Sequence, residues 1–409
     1  MRIAIVALTD YRGFPVGGIP MFVRRFAEAV GGLRDTKLVL VGWRPGRRAG
    51  TREESVFVSG CEHEFVSVGE GPLHPLIPDR LQFYLRSGRW SAAVQRIGDV
   101  DLYYCHSPEA ALGVERGGAR APIVLHLHGA VNGIGLSRFS VARVRPVMAL
   151  YERLFLTPAV RASKVLFATV SDKDFAVLET RLVGAAGVPC LRVPAMVSGQ
   201  IAKVRSRPSG RELQLVCVGR MERVKGVDFL LRVLKVLRDR EIECSLRLVG
   251  DGSERNRLMR LTGTLGLWGA VEFVGVQKPK DVESIVAASD LFVSGSHQEG
   301  FSLALLEALA LGVPAVVTDV GSARDVVRNG ITGFIVQARD ENLFAERILE
   351  ARALRDEMRV SCEAVATLYS STRISGLIMN VFARLVAGEP LGQSRVLPQG
   401  DLGLVSGVR

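Results

Sequence analysis

Short apolar runs alternate with helical segments along almost the whole of this 409-residue chain. Such alternation is typical of parallel β-sheets whose strands are joined by crossover helices. In the first half the predicted strands are Ile3–Leu8, Leu38–Val41, Leu102–Cys105, Ile123–His126 and Val165–Thr169. In the second half they are Leu213–Val218, Ser245–Val249, Val271–Phe273, Leu291–Val293, Pro314–Thr318 and Gly333–Val336. The pattern predicts an α/β protein with a parallel sheet in each half.

The length of the chain predicts two domains, because single hydrophobic cores stop growing at about 250–300 residues. A polar stretch at 198–211, which contains Arg207-Pro208-Ser209-Gly210, is typical of a linker. We therefore expect one domain over 1–197 and a second over 212–372. An amphipathic helix follows within 373–388, and the Gly- and Pro-containing tail at 389–409 is expected to be flexible.

Composition narrows the function classes. The net charge is +11, and residues 1–200 supply +8 of it, from 25 Lys and Arg against 17 Asp and Glu. This excess fits an anionic partner such as membrane lipid, a phosphorylated acceptor or nucleic acid; the alternative is an ordinary Arg-rich surface. No apolar run approaches the roughly 20 residues of a membrane span, and a strand pattern begins at Arg2, so we expect a cytoplasmic protein without a cleaved signal. The six cysteines are scattered and are expected to be reduced and buried.

Two glutamates eight residues apart, Glu299 and Glu307, surround the start of a helix predicted over 302–311. Glu299 falls on the strand-to-helix loop, and Glu307 falls about two turns further along. The start of the helix offers free backbone N–H groups to an anion. For either glutamate alone, a solvated surface position is the alternative.

Two cations, Arg220 and Lys225, lie five residues apart between the strand Leu213–Val218 and a helix predicted over 227–238. Both side chains and the positive end of the helix can converge on one diphosphate. Two ordinary surface cations are the alternative interpretation.

A glycine pair, Gly17 and Gly18, follows the first strand and precedes a helix that begins near Met21. Paired glycines let the backbone approach a ligand, although a flexible loop also explains them. The pair is not part of a Gly-x-Gly-x-x-Gly dinucleotide motif, because Ile19 and Pro20 follow it. Further on, Gly250 lies in a strand-end turn that simple turn geometry explains equally well.

Two histidines, His126 and His128, end a predicted strand at the edge where open α/β sheets bind ligands. Strand alternation places both on the same face of the sheet. Two histidines at this spacing could begin a metal site, but no third ligand is evident from the sequence, so we expect no metal.

Taken together, these segments resemble the retaining glycosyltransferases of the large glycosyltransferase family 4 (group 1), which includes sucrose synthase-like and mannosyltransferase-like enzymes. The matching motifs are Glu-x7-Glu, Gly-Arg-x4-Lys-Gly, the Gly-Gly loop and the His-Gly turn. They occur in order between Gly17 and Phe334. The resemblance implies the GT-B architecture: two Rossmann-like domains facing across a cleft, with the terminal helix of 373–388 packing back on the first domain.

The resemblance also implies roles for the matching residues of the second domain. Arg220 and Lys225 would neutralise the departing nucleotide diphosphate. Glu307 would bind the ribose hydroxyls. Glu299 and the backbone after it would hold the transferred sugar, and the residues of that donor-binding stretch are Gly300, Phe301, Ser302 and Leu303.

The remaining implied roles concern the first domain and the nucleotide base. His128 would meet the donor sugar, and His106 would lie near the cleft. Gly17 and Gly18 would touch the donor diphosphate and the acceptor, and Gly250 would lie near the base.

The expected reaction moves a sugar, with retention, from a UDP- or GDP-sugar to a hydroxyl of a glycan, a lipid-linked acceptor or a small molecule. No cofactor, metal or nucleic acid is expected to take part. Within enzymes, the alternatives are a sugar-nucleotide epimerase or a phosphorylase of the same fold. Outside enzymes, the alternative is a basic two-domain protein that binds membrane or nucleic acid and retains a vestigial sugar site.

The segment 74–90 combines Leu81, Tyr84 and Leu85 at helical spacing with Arg80, Arg86 and Arg89. Basic amphipathic segments of this kind can lie on anionic membranes. We therefore expect possible peripheral contact with the cytoplasmic membrane face, against the alternative of a core-facing helix with solvated arginines.

Overall fold

The computed structural model describes residues 1–11, 18–33, 35–44, 54–58, 60–70, 79–85, 90–129, 145–180, 187–198 and 212–391. Contacts divide the chain into two units. Unit 1 contains the described residues of Met1–Met196 and those from Ser371 onward, and unit 2 contains those of Val197–Ser370. Residues 199–211 of the expected linker at 198–211, and residues 392–409 of the expected tail at 389–409, lie outside the described residues.

Within its described residues, unit 1 is built on an eight-stranded sheet. The strands are β1 Arg2–Val6, β2 Lys37–Arg44, β3 Glu54–Val58, β4 Cys61–Glu70, β5 Leu102–Cys105, β6 Ile123–His128, β7 Val165–Thr169 and β8 Cys190–Arg192. Their order across the sheet is β3-β4-β2-β1-β5-β6-β7-β8. The pairs are parallel apart from the antiparallel pair of β3 and β4, as crossover helices require.

Three of these strands, β3, β4 and β8, are missing from the sequence-based prediction. In β3, the exposed Ser55 and Phe57 alternate with the buried Val56 and Val58. In β4, the exposed Glu62 and the half-buried Glu64 interrupt the apolar residues. Strands with one polar face contain no continuous apolar run, so a search for such runs passes over them.

The centre of the unit 1 sheet is buried on both faces. Successive side chains of a strand point to opposite faces, so Ile3 and Ile5 enter one core layer while Ala4 and Val6 enter the other. The helices of unit 1 are Gly18–Val30, Asp79–Leu85, Trp90–Ile97, Pro108–Arg116, Arg145–Tyr151, Thr157–Ala162, Asp172–Leu178 and Ser371–Val386, with a π-helical turn at Glu152–Leu156.

The last helix, Ser371–Val386, is part of the core of unit 1 although unit 2 precedes it in the chain. The Phe382 side chain is fully buried. Its ring centroid lies 5.1 Å from that of Tyr104, 6.2 Å from that of Phe26 and 6.0 Å from that of Phe167. One helix therefore closes the aromatic core over β5 and β7.

Unit 2 contains a six-stranded sheet in which the paired strands are parallel throughout the described residues. The strands are β9 Leu213–Val218, β10 Cys244–Val249, β11 Val271–Gly275, β12 Leu291–Ser294, β13 Ala315–Thr318 and β14 Gly333–Val336. The helices are Val227–Asp239, Arg255–Thr264, Pro279–Ala287, Leu303–Ala310, Ala323–Val326, Glu341–Ala353 and Arg355–Leu368. Each predicted strand of this half is present, with ends within two residues of the prediction.

Both sheets contain a point where the strand order reverses. In unit 2 the order is β11-β10-β9-β12-β13-β14, so the chain leaves β9 on one side and later returns beside it as β12. In unit 1, β1 lies between β2 and β5 in the same way. Loops that diverge from such a point leave a crevice at the carboxyl ends of the strands, where open α/β sheets bind ligands.

The segment 74–90, expected to face a membrane, is described only at 79–85 and at residue 90. Phe83 and Trp90 are fully buried, with ring centroids 5.1 Å apart, and Tyr84 is buried as well. Leu85 is exposed. The aromatic side of this helix thus packs into the core, which is the alternative given above. Among the described helices, none combines the length and the apolar character that crossing a bilayer requires.

We expect Phe382→Ala to destabilise unit 1 by about 3–5 kcal/mol, because it leaves a cavity among three aromatic rings. The matched control is Val386→Ala on the same helix, where the side chain is 43% exposed and the expected change is within about 0.5 kcal/mol. Calorimetric unfolding of both variants measures the difference. Equal stability of the two variants would show that the helix contributes little to the core.

Candidate functional site

The candidate site of unit 2 lies at its strand-order reversal. Arg220 and Lys225 follow β9, and Glu299 follows β12. Since β9 and β12 are adjacent and parallel, both loops leave the sheet at the same edge. The fold therefore brings together groups that are 74 residues apart in the chain.

The two loops touch through their backbones. Gly226 has φ +59°, and a Cβ at this position would lie 2.0 Å from the carbonyl oxygen of Gly295. In addition, the His297 N–H donates to the Val224 carbonyl at 2.8 Å. A glycine is required at 226 for two reasons, the left-handed backbone and the absence of space for a side chain.

This contact places Lys225 beside Glu299. The Lys225 ammonium (Nζ) donates to Glu299 Oε1 at 2.6 Å, and the Ser296 hydroxyl donates to the same oxygen at 2.8 Å. The two charged side chains are only 24% and 13% exposed. Among the described residues none forms a hydrogen bond with Glu299 Oε2, so that oxygen remains available to accept a further bond.

Arg220 differs from Lys225 in its surroundings. Its side chain is exposed, and among the described residues its guanidinium has neither an ion pair nor a hydrogen bond. The structure therefore joins Lys225 and Glu299 and leaves Arg220 at the surface of the same loop. The five N–H donors of the planar Arg220 guanidinium are therefore available to solvent or to a ligand.

One supporting residue, Arg339, was not predicted from the sequence. Its guanidinium donates to the Gly295 carbonyl and lies 4.5 Å from the centroid of the Phe229 ring. Burial lowers the pKa of this guanidinium, and Asp228 opposes that effect. Arg339 therefore stabilises the loop that carries Glu299 from a position 40 residues later in the chain, where no motif marks it.

The stretch Gly300–Leu303, predicted to bind the donor, leads into the helix Leu303–Ala310. No side chain caps the start of this helix; instead, the Ser302 N–H donates to Ser322 Oγ at 3.2 Å. The first-turn N–H groups thus remain directed out of the helix start. Glu307 lies half-buried on this helix, so the predicted placement of Glu299 on the loop and Glu307 on the helix is confirmed.

A further predicted residue, Gly250, has an architectural reason to be glycine. It has φ +127°, and a Cβ there would lie 2.1 Å from the Gly219 carbonyl oxygen. The ends of β9 and β10 therefore meet at these two glycines. Whether Gly250 also lies near a nucleotide base stays a prediction.

Beneath the Lys225–Glu299 pair lies Cys217, on β9. Burial raises the pKa of its thiol to about 12, while Lys225 lowers it and Glu299 raises it. The side chain is therefore a neutral thiol at ordinary pH and is not activated as a nucleophile.

Unit 1 places three histidines together at the carboxyl ends of β5 and β6. His106 Nδ1 lies 2.8 Å from His128 Nε2. His126 Nδ1 lies 2.6 Å from the Tyr104 hydroxyl, and His126 Nε2 lies 2.8 Å from Thr169 Oγ1. His126 and His128 share a face, as the alternation predicts, and their ring centroids are 4.0 Å apart.

The expectation that no third ligand accompanies His126 and His128 is wrong, because His106 brings a third ring nitrogen within 4.8 Å of theirs. The sequence does not reveal this proximity, because His106 follows β5 whereas His126 and His128 lie in β6. The three ring planes lie 23–33° from one another. Metals bind imidazole nitrogens in the plane of the ring, so near-parallel stacked rings favour a hydrogen-bonded network over a shared ion.

Only one residue of the glycine pair lies in the part of the chain that the structure describes. Gly18 is the exposed first residue of the helix Gly18–Val30, whereas Gly17 lies outside the described residues. The predicted contact of this loop with a donor or an acceptor stays a prediction.

Comparison with known proteins finds a family match in the second half of the chain. Residues 200–367 match the family model described as glycosyl transferases group 1. Over 151 residues, the chain is 32% identical to D-inositol 3-phosphate glycosyltransferase from Corynebacterium jeikeium (strain K411). The alignment covers 35% of this chain and 36% of that relative. The aligned region thus spans little more than a third of the relative's length.

Solved structures are similar over nearly the whole chain. Sucrose-phosphate synthase from Thermosynechococcus elongatus superposes with a TM-score of 0.75 at 18% identity, over 95% of this chain and 100% of that one. HepE from Anabaena in complex with UDP-glucose superposes with a TM-score of 0.65 at 19% identity, over 94% of this chain and 99% of that one. Residues 200–367 of the chain thus resemble the glycosyl transferases group 1, and its two units have the fold of the GT-B glycosyltransferases.

Proposed function

We propose that this protein is a retaining glycosyltransferase that moves a sugar from a nucleotide-diphosphate sugar to an acceptor hydroxyl. The observation that carries the proposal is the group of charged residues at the strand-order reversal of unit 2. There Lys225 is held against Glu299, Arg220 is exposed on the same loop, and a helix begins without a side-chain cap.

The cations fit the charge that the reaction creates. Breaking the anomeric C–O bond leaves negative charge on the diphosphate, and donors already in place stabilise it without reorganisation. A lysine ammonium has three N–H donors, and one of them is used by Glu299. Two of the three N–H donors remain for phosphate oxygens. Arg220 and the backbone N–H groups in the first turn of the helix Leu303–Ala310 add further donors.

The two glutamates fit the neutral parts of the donor. Glu299 Oε1 is used by Lys225 and Ser296, so Oε2 is the oxygen that would accept a sugar hydroxyl. Because both bonds hold Oε1, the carboxylate is oriented before the sugar binds. Glu307 would accept bonds from the two ribose hydroxyls, for which a carboxylate is well suited.

In the proposed reaction, the bond from the anomeric carbon to the diphosphate oxygen breaks, and a bond from the acceptor oxygen to the same carbon forms on the same face. The acceptor hydroxyl gives its proton to the departing phosphate oxygen. No protein nucleophile is required, which agrees with the neutral thiol of Cys217. Arg220 and Lys225 would neutralise the diphosphate in place of a metal, and the contact of His128 with the sugar remains part of the proposal through the resemblance alone.

The donor is proposed to be a UDP- or GDP-sugar, and the acceptor a glycan, a lipid-linked or a small-molecule hydroxyl compound. The binding of UDP-glucose by the structurally similar HepE supports a uridine donor. Release of nucleoside diphosphate from a panel of UDP-, GDP- and ADP-sugars tests the activity, and proton NMR of the product reports the anomeric configuration. An inverted product would reject retention, and no turnover of any donor would favour a vestigial site.

Lys225→Ala should lower kcat by about 10²-fold or more, since the contact stabilises charge that develops in the transition state. Lys235→Ala is the matched control, because Lys235 lies on the helix that follows and, among the described residues, forms an ion pair with the exposed Asp239 alone. Steady-state kinetics with the best donor measures both. A near-wild-type kcat for Lys225→Ala would remove Lys225 from the diphosphate site.

Glu307→Ala should weaken nucleotide binding, because a charge-assisted hydrogen bond contributes about 1.5–3 kcal/mol, equivalent to about 10–100-fold in Kd. Glu346→Ala, at an exposed position on the helix Glu341–Ala353, serves as the control. Titration calorimetry with the free nucleoside diphosphate supplies the affinities. Unchanged affinity would reject the ribose assignment.

Gly226→Ala should misplace Lys225 relative to Glu299 and lower kcat by about 10²-fold, the effect of a shift of about 1 Å in a reacting group. Gly266→Ala is the control that separates backbone strain from the steric clash with Gly295. Gly266 has φ +69°, and a Cβ there would meet nothing within 4 Å. The control has only the cost of the left-handed backbone, about 1–2 kcal/mol of stability. Equal activity of the two variants would show that contact with Gly295 has no effect on catalysis.

A further inference from the structure

The carboxylate of Glu299 is held by two partners that differ in flexibility. Lys225 contacts Oε1 from the end of a flexible side chain that is 24% exposed. Ser296 contacts the same oxygen from a short side chain on a residue that is only 1% exposed. The torsion that turns a glutamate carboxylate has a broad distribution, so a flexible partner alone leaves the plane of the carboxylate undefined. The direction in which Oε2 points therefore depends on Ser296 more than on Lys225.

Ser296 is itself fixed from the neighbouring strand. The Thr318 hydroxyl, at the end of β13, donates to the Ser296 carbonyl at 2.7 Å. Thr318 is buried, and β13 lies directly beside β12 in the sheet. A buried hydrogen bond between two strand ends is stronger than the same bond in water, so it restricts the backbone of Ser296. Ser296 thus presents its hydroxyl to Glu299 from a fixed position.

The hydroxyl protons of this group all point toward Glu299. The Ser296 hydroxyl has one proton and donates it to Glu299 at 2.8 Å, so in its contact with Ser294 Oγ the Ser294 hydroxyl must be the donor. That contact, at 3.2 Å, is longer than the usual distance of about 2.7–2.8 Å between two hydroxyl oxygens. The bonds from Thr318 to Ser296 and from Ser296 to Glu299 are therefore the two that determine the arrangement.

The loop after β13 packs against Glu299 as well. Gly321 has φ +57°, and a Cβ there would lie 2.5 Å from the Gly300 carbonyl oxygen and 2.7 Å from Glu299 Cβ. The Ser322 N–H also donates to the Gly300 carbonyl at 3.1 Å. Because close-packed backbone leaves no free space, the stem of the Glu299 side chain cannot move toward this loop without displacing it.

We propose that Ser296 is a positioning residue, anchored by Thr318, that turns the Glu299 carboxylate so that Oε2 faces the sugar of a bound nucleotide-sugar. Ser296 and Thr318 do not touch the ligand; both act through Glu299. The contact of Oε2 with a sugar rests on the proposed function, whereas the orientation of the carboxylate does not. Without the Ser296 hydroxyl, Oε1 keeps one bond to a flexible ammonium, so the carboxylate adopts several orientations and the sugar loses a prearranged acceptor.

Crystal structures without ligand test the orientation directly. In the wild-type protein we expect one conformer of Glu299, with Oε1 bonded to both Ser296 and Lys225. In Ser296→Ala we expect the carboxylate to be turned or to occupy more than one orientation. The same Glu299 conformer in both crystals would overturn the proposal. A wild-type Glu299 turned away from Ser296 would overturn it as well.

Two variants of Thr318 test the anchoring role. Thr318→Val keeps the shape of the side chain and removes the hydroxyl, so the Ser296 carbonyl should shift and the Glu299 carboxylate should lose its single orientation. Thr318→Ser keeps the hydroxyl and should retain the wild-type orientation. A wild-type Glu299 conformer in crystals of Thr318→Val would overturn the anchoring role.

Ligand affinity and turnover separate a positioning role from a merely structural one. Ser296→Ala should lower kcat/KM for the best nucleotide-sugar by about tenfold or more, because a contacting group is misplaced. Its affinity for the free nucleoside diphosphate should be unchanged, because that ligand contains no sugar. A merely structural defect would weaken both. Ser289→Ala is the matched control, since the Ser289 hydroxyl donates to the Ile285 carbonyl at 2.9 Å ahead of β12, and both quantities should stay at the wild-type level.

The outcomes distinguish this inference from the proposed function. A turned Glu299 with unchanged kcat/KM would retain the positioning role of Ser296 and reject the contact of Glu299 with the sugar. Weaker binding of the nucleoside diphosphate to Ser296→Ala, with Glu299 in its wild-type orientation, would reject Ser296 as a positioning residue. If the wild-type protein turns over no nucleotide-sugar, the proposed function fails, and the crystal structures of wild type and Ser296→Ala alone decide whether Ser296 orients Glu299.

Discussion

Direct backbone contact between the loops after β9 and β12 underlies the candidate site. Gly226 and Gly295 approach so closely that neither loop can shift alone, and the His297 N–H is bonded to Val224 across the same seam. The close Lys225–Glu299 pair depends on this contact, because Lys225 lies between Val224 and Gly226, and Glu299 is on the same short loop as Gly295 and His297. Close-packed backbone has few alternative arrangements, so the charges are held before any ligand is present.

The sequence predicts the strands and the polar residues at their ends better than it predicts the contacts between those residues. The strands β9 to β14 follow from apolar runs that both faces of a parallel sheet require. The polar residues at their carboxyl ends follow from the position where such sheets bind ligands. The bond between Lys225 and Glu299, the support from Arg339 and the joining of His106 to His128 all link residues distant in the chain. No local pattern encodes them, because they arise only when the strands are ordered in the sheet.

The two units use different chemistry at equivalent places. At the strand-order reversal of unit 2 the side chains are ionic and partly open to solvent. Near that of unit 1 they are aromatic, neutral and mostly buried, and burial lowers the pKa of both His106 and His126. Neutral side chains that form hydrogen bonds tolerate burial, whereas paired charges keep some hydration. One topology thus supports a site for charge and a site for directional hydrogen bonds.

The discontinuity of unit 1 has a consequence for synthesis on the ribosome. The described residues of unit 2 all lie within Val197–Ser370, so they can reach their final contacts as soon as residue 370 has emerged. Unit 1 completes its core later, because Phe26, Tyr104 and Phe167 can pack against Phe382 only after residues 197–370 have been translated. Until then an aromatic surface of the first-made strands has no cover, which makes the nascent N-terminal half a natural substrate for chaperones that shield apolar surface.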